Sequence, residues 1–139
     1  MLVTNANHER ASYLYADQFS VPTFARIEAS ILGATPLADG DVLGRDTRVL
    51  AIDGAAAGEL ALLDQREGGT MIIGDTLINM GHHGFTFLPP RYCSNHKQMK
   101  KSLRKLLEHP FERLLFAHGL PILTEARERL RSLLKNGAT

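Results

Sequence analysis

A layered α/β or α+β domain is the fold class the sequence predicts, on three observations. Apolar residues keep helical spacing at both ends of the chain and once more in its second half; short apolar runs of strand type lie between; Gly, Asp and Pro cluster where the runs join. With 139 residues, 44% hydrophobic and 22% charged, and a net charge of +1, the chain suits a single domain over residues 1–139. That charge makes no electrostatic case for nucleic acid or for an anionic membrane surface. Cys93 is the only cysteine, which excludes an internal disulfide and points to a reducing, cytoplasmic setting. No apolar run approaches the ~20 residues of a membrane span, and MLVTNANHER lacks the basic start and apolar stretch of a secretion signal.

The elements follow in order. After Asn7, a residue suited to capping, Ala11, Leu14, Tyr15 and Phe19 keep helical spacing until Pro22. Residues 23–25 read as a short strand and 27–32 as a short helix closed by Gly33. TPLADGDVLGRD, residues 35–46, reads as a surface loop or hairpin before a strand over 48–52. Past the turn DGAAAGE, the apolar runs 60–63 and 70–73 flank DQREGG, a hairpin connection by its polarity and paired Gly. NMGHHGFTFLPPRYCSN, residues 79–95, reads as irregular because of its Gly and Pro content, and a loop of that length is often functional.

Met99, Leu103, Leu106 and Leu107 mark an amphipathic helix capped by Ser94 or Asn95 and stopped by Pro110, with Lys97, Lys100, Lys101, Arg104 and Lys105 on its solvated face. A buried strand over 114–116 delivers Ala117, His118 and Gly119. Thr124 then opens a last helix, with Ala126, Leu130, Leu133 and Leu134 inward and Gly137 past its end.

Three strand-to-loop junctions carry the polar residues of interest: Asn5, Asn7, His8 and Glu9; Asp75; and His118. Strand ends in layered folds aim side chains at a common ligand. Two segments, GELALLDQREGGTMIIGDTL at 58–77 and SLRKLLEHPFERLLFAHGLPI at 102–122, resemble the C-terminal half of the metallo-β-lactamase fold superfamily. The resemblance implies an αββα sandwich, largely its C-terminal part and without the N-terminal strands. It puts Asp75 at the family's metal-bridging aspartate and His118 at its last histidine ligand.

The family's first metal motif, His-x-His-x-Asp-His, falls on Asn5-Ala6-Asn7-His8-Glu9-Arg10, so Asn5, Asn7, Glu9 and Arg10 occupy ligand positions; the next histidine falls at Ala55. Amides ligate zinc poorly, and a fixed positive charge disfavours a metal ion, so the two-metal chemistry of the family is not expected. Two outcomes remain for cofactors. A single Zn or Fe ion could sit at Asp75 and His118, helped by Glu9 and by His82 or His83, with His8 one position out of register. Alternatively there is no metal, and Arg10 pairs with Asp75 or Glu9.

The function implied is accordingly a hydrolase with a reconfigured single-metal site, or a non-catalytic binding or structural protein that keeps only the fold. Phe85, Phe87 and Tyr92 in the long loop would line a pocket for a partly apolar small molecule. Cys93 with His96 would make a nucleophile only if the thiol were activated; a lone cysteine otherwise packs as a small hydrophobe. A shortened sandwich leaves sheet surface uncovered, which predicts a homodimer.

Overall fold

Short apolar runs in the middle of the chain pair into one sheet. The computed structural model describes residues 1–136. Strands β3 (Val42–Leu43), β4 (Thr47–Ala51), β5 (Leu60–Asp64), β6 (Thr70–Ile73) and β9 (Arg113–Phe116) lie side by side in the order β3-β4-β5-β6-β9, antiparallel except for the parallel pair β6-β9. The parallel step needs a long crossover, and helix α2 (His96–Leu106) provides it. Helix α3 (Ala126–Asn136) follows β9 and packs beside α2.

Each face of the sheet has its own cover. Ala61, Leu63, Met71, Ile73 and Leu114 point to the face where Met99, Leu103 and Leu106 of α2 and Ala126, Leu130 and Leu134 of α3 are buried. Leu60 and Val49 point to the other face and pack with Leu37. Leu37 belongs to a parallel two-stranded unit, β1 (Phe24–Arg26) with β2 (Thr35–Leu37), to which Leu2 adds a bridge at Phe24. A period of two in β5 therefore serves two half-cores at once. Among the described residues no helix is long and apolar enough to cross a membrane.

Several expectations are corrected. Asn7 is not the cap: Asn5 stands in extended backbone and its Oδ1 accepts from Asn7 N at 2.9 Å, opening a 3-10 turn over Ala6–His8. The reason is tertiary, because Leu60 N donates to Thr4 O and Ala6 N donates to Ala57 O, so this stretch is tied to the head of β5 before any helix can start. Helix α1 begins only at Ser12 and runs to Phe19. None of its residues is buried, and Tyr13, Leu14, Tyr15 and Phe19 are each more than half exposed.

Residues 27–32 hold only a 3-10 turn, Ile27–Ala29, ended by Ser30 in the left-handed region. Residues 79–95 are not irregular throughout. β7 (Leu77–Met80) and β8 (Gly84–Phe87) form an antiparallel hairpin in register Leu77 with Phe87 and Asn79 with Phe85, the glycines falling at its turn. Of the two expected caps of α2, Asn95 is the one used, its Oδ1 accepting from Gln98 N at 3.0 Å. Gly137, expected past the end of α3, lies outside the described residues.

Candidate metal centre and the cleft beside it

Three loops leave the same end of the sheet, and each delivers one donor. His8 comes from the 3-10 turn after the first bridge, Asp75 from the turn between β6 and β7, and His118 from the turn after β9. Their ligand-type atoms all lie within 4.8 Å of one another. His8 Nε2 is 3.1 Å and His118 Nε2 is 3.0 Å from the same oxygen, Asp75 Oδ1. That oxygen is buried and neither approach meets hydrogen-bond geometry, so it is left without a hydrogen bond. Two imidazole nitrogens converging on an orphaned carboxylate oxygen suit a shared cation better than they suit each other. The residues present therefore fit a metal ion: two imidazoles and one carboxylate suit Zn²⁺ or Fe²⁺.

The surroundings hold these donors in place. Thr4 Oγ1 lies 2.6 Å and Asn5 Nδ2 3.4 Å from His8 Nδ1, contacts that anchor this edge of the ring and turn Nε2 toward Asp75. Asn5, fully buried, uses one amide nitrogen to bridge two carboxylates, donating to Glu59 Oε2 at 2.6 Å and Asp75 Oδ2 at 3.2 Å. Glu59 is fully buried at the head of β5; its Oε1 accepts from Asp75 N at 2.8 Å and Thr76 N at 3.4 Å.

The carboxyl of Glu59 is pushed up to about 7, first by burial and then by the Asp75 carboxylate, against the lowering pull of Asn5 and the two backbone donors. Gly74 makes room for it, since a Cβ there would stand 2.6 Å from Glu59 Oε1. The floor of the centre is thus a closed hydrogen-bonded brace of Asn5, Glu59 and the Gly74 to Thr76 turn.

His118 is fixed through its backbone. Asn79 N donates to His118 O at 3.1 Å, Leu120 N donates to Asn79 O at 3.0 Å, and Asn79 Nδ2 donates to Leu120 O at 2.7 Å. Gly119 sits in the middle of this clasp with φ +111°, where a Cβ would be 2.1 Å from Asn79 O. The side chains of His8 and Asp75 are 18% and 12% exposed and that of His118 is 43% exposed, so the centre opens on the His118 side.

On that side lies a cleft of about 600 Å³ walled by β7, β8 and the segment leading to α2. Phe87 and Tyr92 line it together with His83, His96 and His118. Phe85, expected there, does not line the cleft and packs on Phe116, ring centroids 5.7 Å apart. Glu9, His82 and His83 are exposed, and none belongs to the three-residue cluster. Arg10 is also exposed, and the groups that approach Asp75 Oδ1 are His8 and His118 instead. Cys93 faces the Leu88 and Pro89 carbonyls and Met99 Sδ, and burial pushes its thiol up, which makes it a packing residue.

Sequence reasoning missed Glu59 altogether and held His8 to be out of register. A carboxylate wedged between Gly58 and the apolar run 60–63 was a usable signal, because an acidic residue that enters a buried strand must have dedicated donors. No comparable signal marked His8, whose reach to Asp75 depends on the 3-10 turn.

The chain is similar to several solved structures. The di-iron-bound form of TTHA1623 matches at 23% identity over 93% of this chain and 74% of that one, with a TM-score of 0.71. The metallo-beta-lactamase family protein TTHA1429 from Thermus thermophilus matches at 19% identity over 97% and 59%, TM-score 0.71. A B3 metallo-beta-lactamase with an active-site glutamic acid matches at 16% identity over 97% and 67%, TM-score 0.68. The chain thus spans between 59% and 74% of the length of these proteins. No family model and no curated protein matches it. At such identities the likeness speaks for the fold alone.

Proposed function

The chain has the metallo-β-lactamase fold, and on that premise we propose that it is a hydrolase working with one metal ion held by His8, Asp75 and His118. The observation that carries this reading is Asp75 Oδ1, buried, without a hydrogen bond and faced by two imidazole nitrogens. A divalent ion there supplies Lewis-acid polarisation of a substrate oxygen and lowers the pKa of water. Thr4 holds the His8 ring with Nε2 toward Asp75, and Asn5 and Glu59 hold Asp75 from behind. The exposed edge of His118 faces the cleft, which shields a bound molecule from bulk water along one side.

Metal analysis of protein purified without chelators tests the proposal. About one equivalent of zinc or iron is expected, with stoichiometric binding lost in His8→Ala, Asp75→Ala and His118→Ala. A parent protein free of metal after incubation with both ions would overturn it and leave the non-catalytic reading. The di-iron state is a property of TTHA1623; three donors within 4.8 Å favour a single ion here.

We also propose that two copies associate through α1, because Tyr13, Leu14, Tyr15 and Phe19 leave large apolar side chains exposed around it. Light scattering after size exclusion is expected to give twice the 15.3 kDa chain mass, and Phe19→Glu is expected to shift it toward the monomer. A monodisperse parent monomer would sink this idea.

A further inference from the structure

The cleft beside His118 has a chemistry of its own. Its walls are apolar, with Ile78, Met80, Phe87, Leu88 and Tyr92 among them, and its volume of about 600 Å³ suits a small molecule. Its lining includes Arg91 and three histidines and no carboxylate. Arg91 is held over the Tyr92 ring, its guanidinium carbon 4.7 Å from the centroid, which keeps the charge at the cleft instead of trailing into solvent. Lys100 Nζ lies 5.0 Å from the centroid of Phe87, another wall residue, so the side chain behind that wall is cationic too.

His96 packs edge-on against Phe87, ring centroids 6.2 Å apart. Burial and then Lys100 lower its pKa, so the imidazole is neutral, and its Nε2 has no hydrogen-bond partner among the described residues. An apolar slot with a guanidinium stacked at its edge and no acidic residue in its lining favours one kind of occupant.

We propose that the cleft binds small organic anions with an aromatic or branched apolar body, the body lying between Phe87 and Tyr92 and the anionic group on Arg91. The specificity residues are then Arg91 and Tyr92, neither of which belongs to the metal cluster. The inference deepens the proposed hydrolase by naming the class of molecule presented to His118, and it rests on that reading only for the direction of approach. Recognition itself needs no metal, because every group invoked is a side chain of the cleft.

The test is a calorimetric titration of chelator-treated protein with naphthylacetate and with naphthylacetamide, the same aromatic body with and without its charge. Without metal, any preference for the acid must come from side chains. The acid is expected to bind at least about tenfold tighter than the amide, the size of one charge-assisted contact. Arg91→Met should bring the two ligands to parity, and Tyr92→Ala, which removes a wall and the platform of Arg91, should weaken both by about tenfold. Arg91 and Tyr92 are both exposed, so neither change threatens the core. Equal binding of acid and amide by the parent would overturn the proposal, as would a preference that persists in Arg91→Met or binding of both that is indifferent to Tyr92→Ala. Failure of this titration leaves the metal analysis standing, and failure of the metal analysis leaves the titration standing.

Discussion

Gly119→Ala is expected to unfold or severely weaken the protein and, where some fold survives, to abolish binding of the metal ion proposed above. The residue has φ +111°, a conformation an L side chain rarely adopts, and its Cβ would sit 2.1 Å from Asn79 O and 2.4 Å from the Asn79 carbonyl carbon. The obstruction is backbone, which no rotamer change relieves. Relief requires β7 and the turn after β9 to separate, and that breaks the bonds from Asn79 N to His118 O and from Leu120 N to Asn79 O. Strain and lost bonds together put the cost at roughly 3–5 kcal/mol, a large share of the stability of a small domain. His118 is the neighbouring residue, so its Nε2 moves away from Asp75. Chemical denaturation and metal content report the two effects separately; a Gly119→Ala protein of parental stability and metal content would refute the clasp.

Raising the pH from 5 to 8 is expected to destabilise the chelator-treated protein, and Glu59→Gln to remove most of that dependence. The folded state holds the Glu59 proton up to about pH 7, whereas an ordinary glutamate loses it near 4.5. Between those values the unfolded chain binds fewer protons than the folded one, so stability falls as pH rises. Above pH 7 the loss is complete, at about 3 kcal/mol. Gln keeps the acceptor for Asp75 N but sets its own amide against Asn5 Nδ2, so the variant is less stable at pH 5 while its slope is flat. Urea titrations of both proteins at the two pH values decide the matter. A parent whose stability is unchanged or higher at pH 8, or a variant that keeps the slope, would show that Glu59 does not carry this proton.

The two predictions meet in the way the centre is built. Asp75 is held through its backbone N by the Glu59 carboxyl and through Oδ2 by the Asn5 amide, His118 through backbone bonds to Asn79, and His8 through the side chain of Thr4. A centre braced in this way keeps its donors in place while Asn5 serves as a hydrogen-bond donor to both buried carboxyls.

Local pattern alone determined much of this protein. The apolar runs at 60–63 and 70–73, the amphipathic spacing from Met99 to Leu107 and the turn residues between them led to the layered class, the central strands and helices α2 and α3, because period and punctuation are properties of neighbouring residues. The same reading brought Asp75 and His118 forward as strand-end residues, and the resemblance set Asn5 to Arg10 against the family's first metal motif. Tertiary structure alone decided the rest. Whether Asn5 or Asn7 caps the first turn depends on Thr4 being tied to Leu60, and whether 79–95 is a loop or a hairpin depends on Phe87 and Phe85 finding Leu77 and Asn79 as partners. His8 joins the centre because a 3-10 turn rotates it there, and Glu59 because a strand from elsewhere in the chain brings Asn5 and the Asp75 turn to its two oxygens. Contacts between residues 16 to 110 positions apart leave no mark on local spacing, which is why the frame of the site was legible in the sequence and its wiring was not.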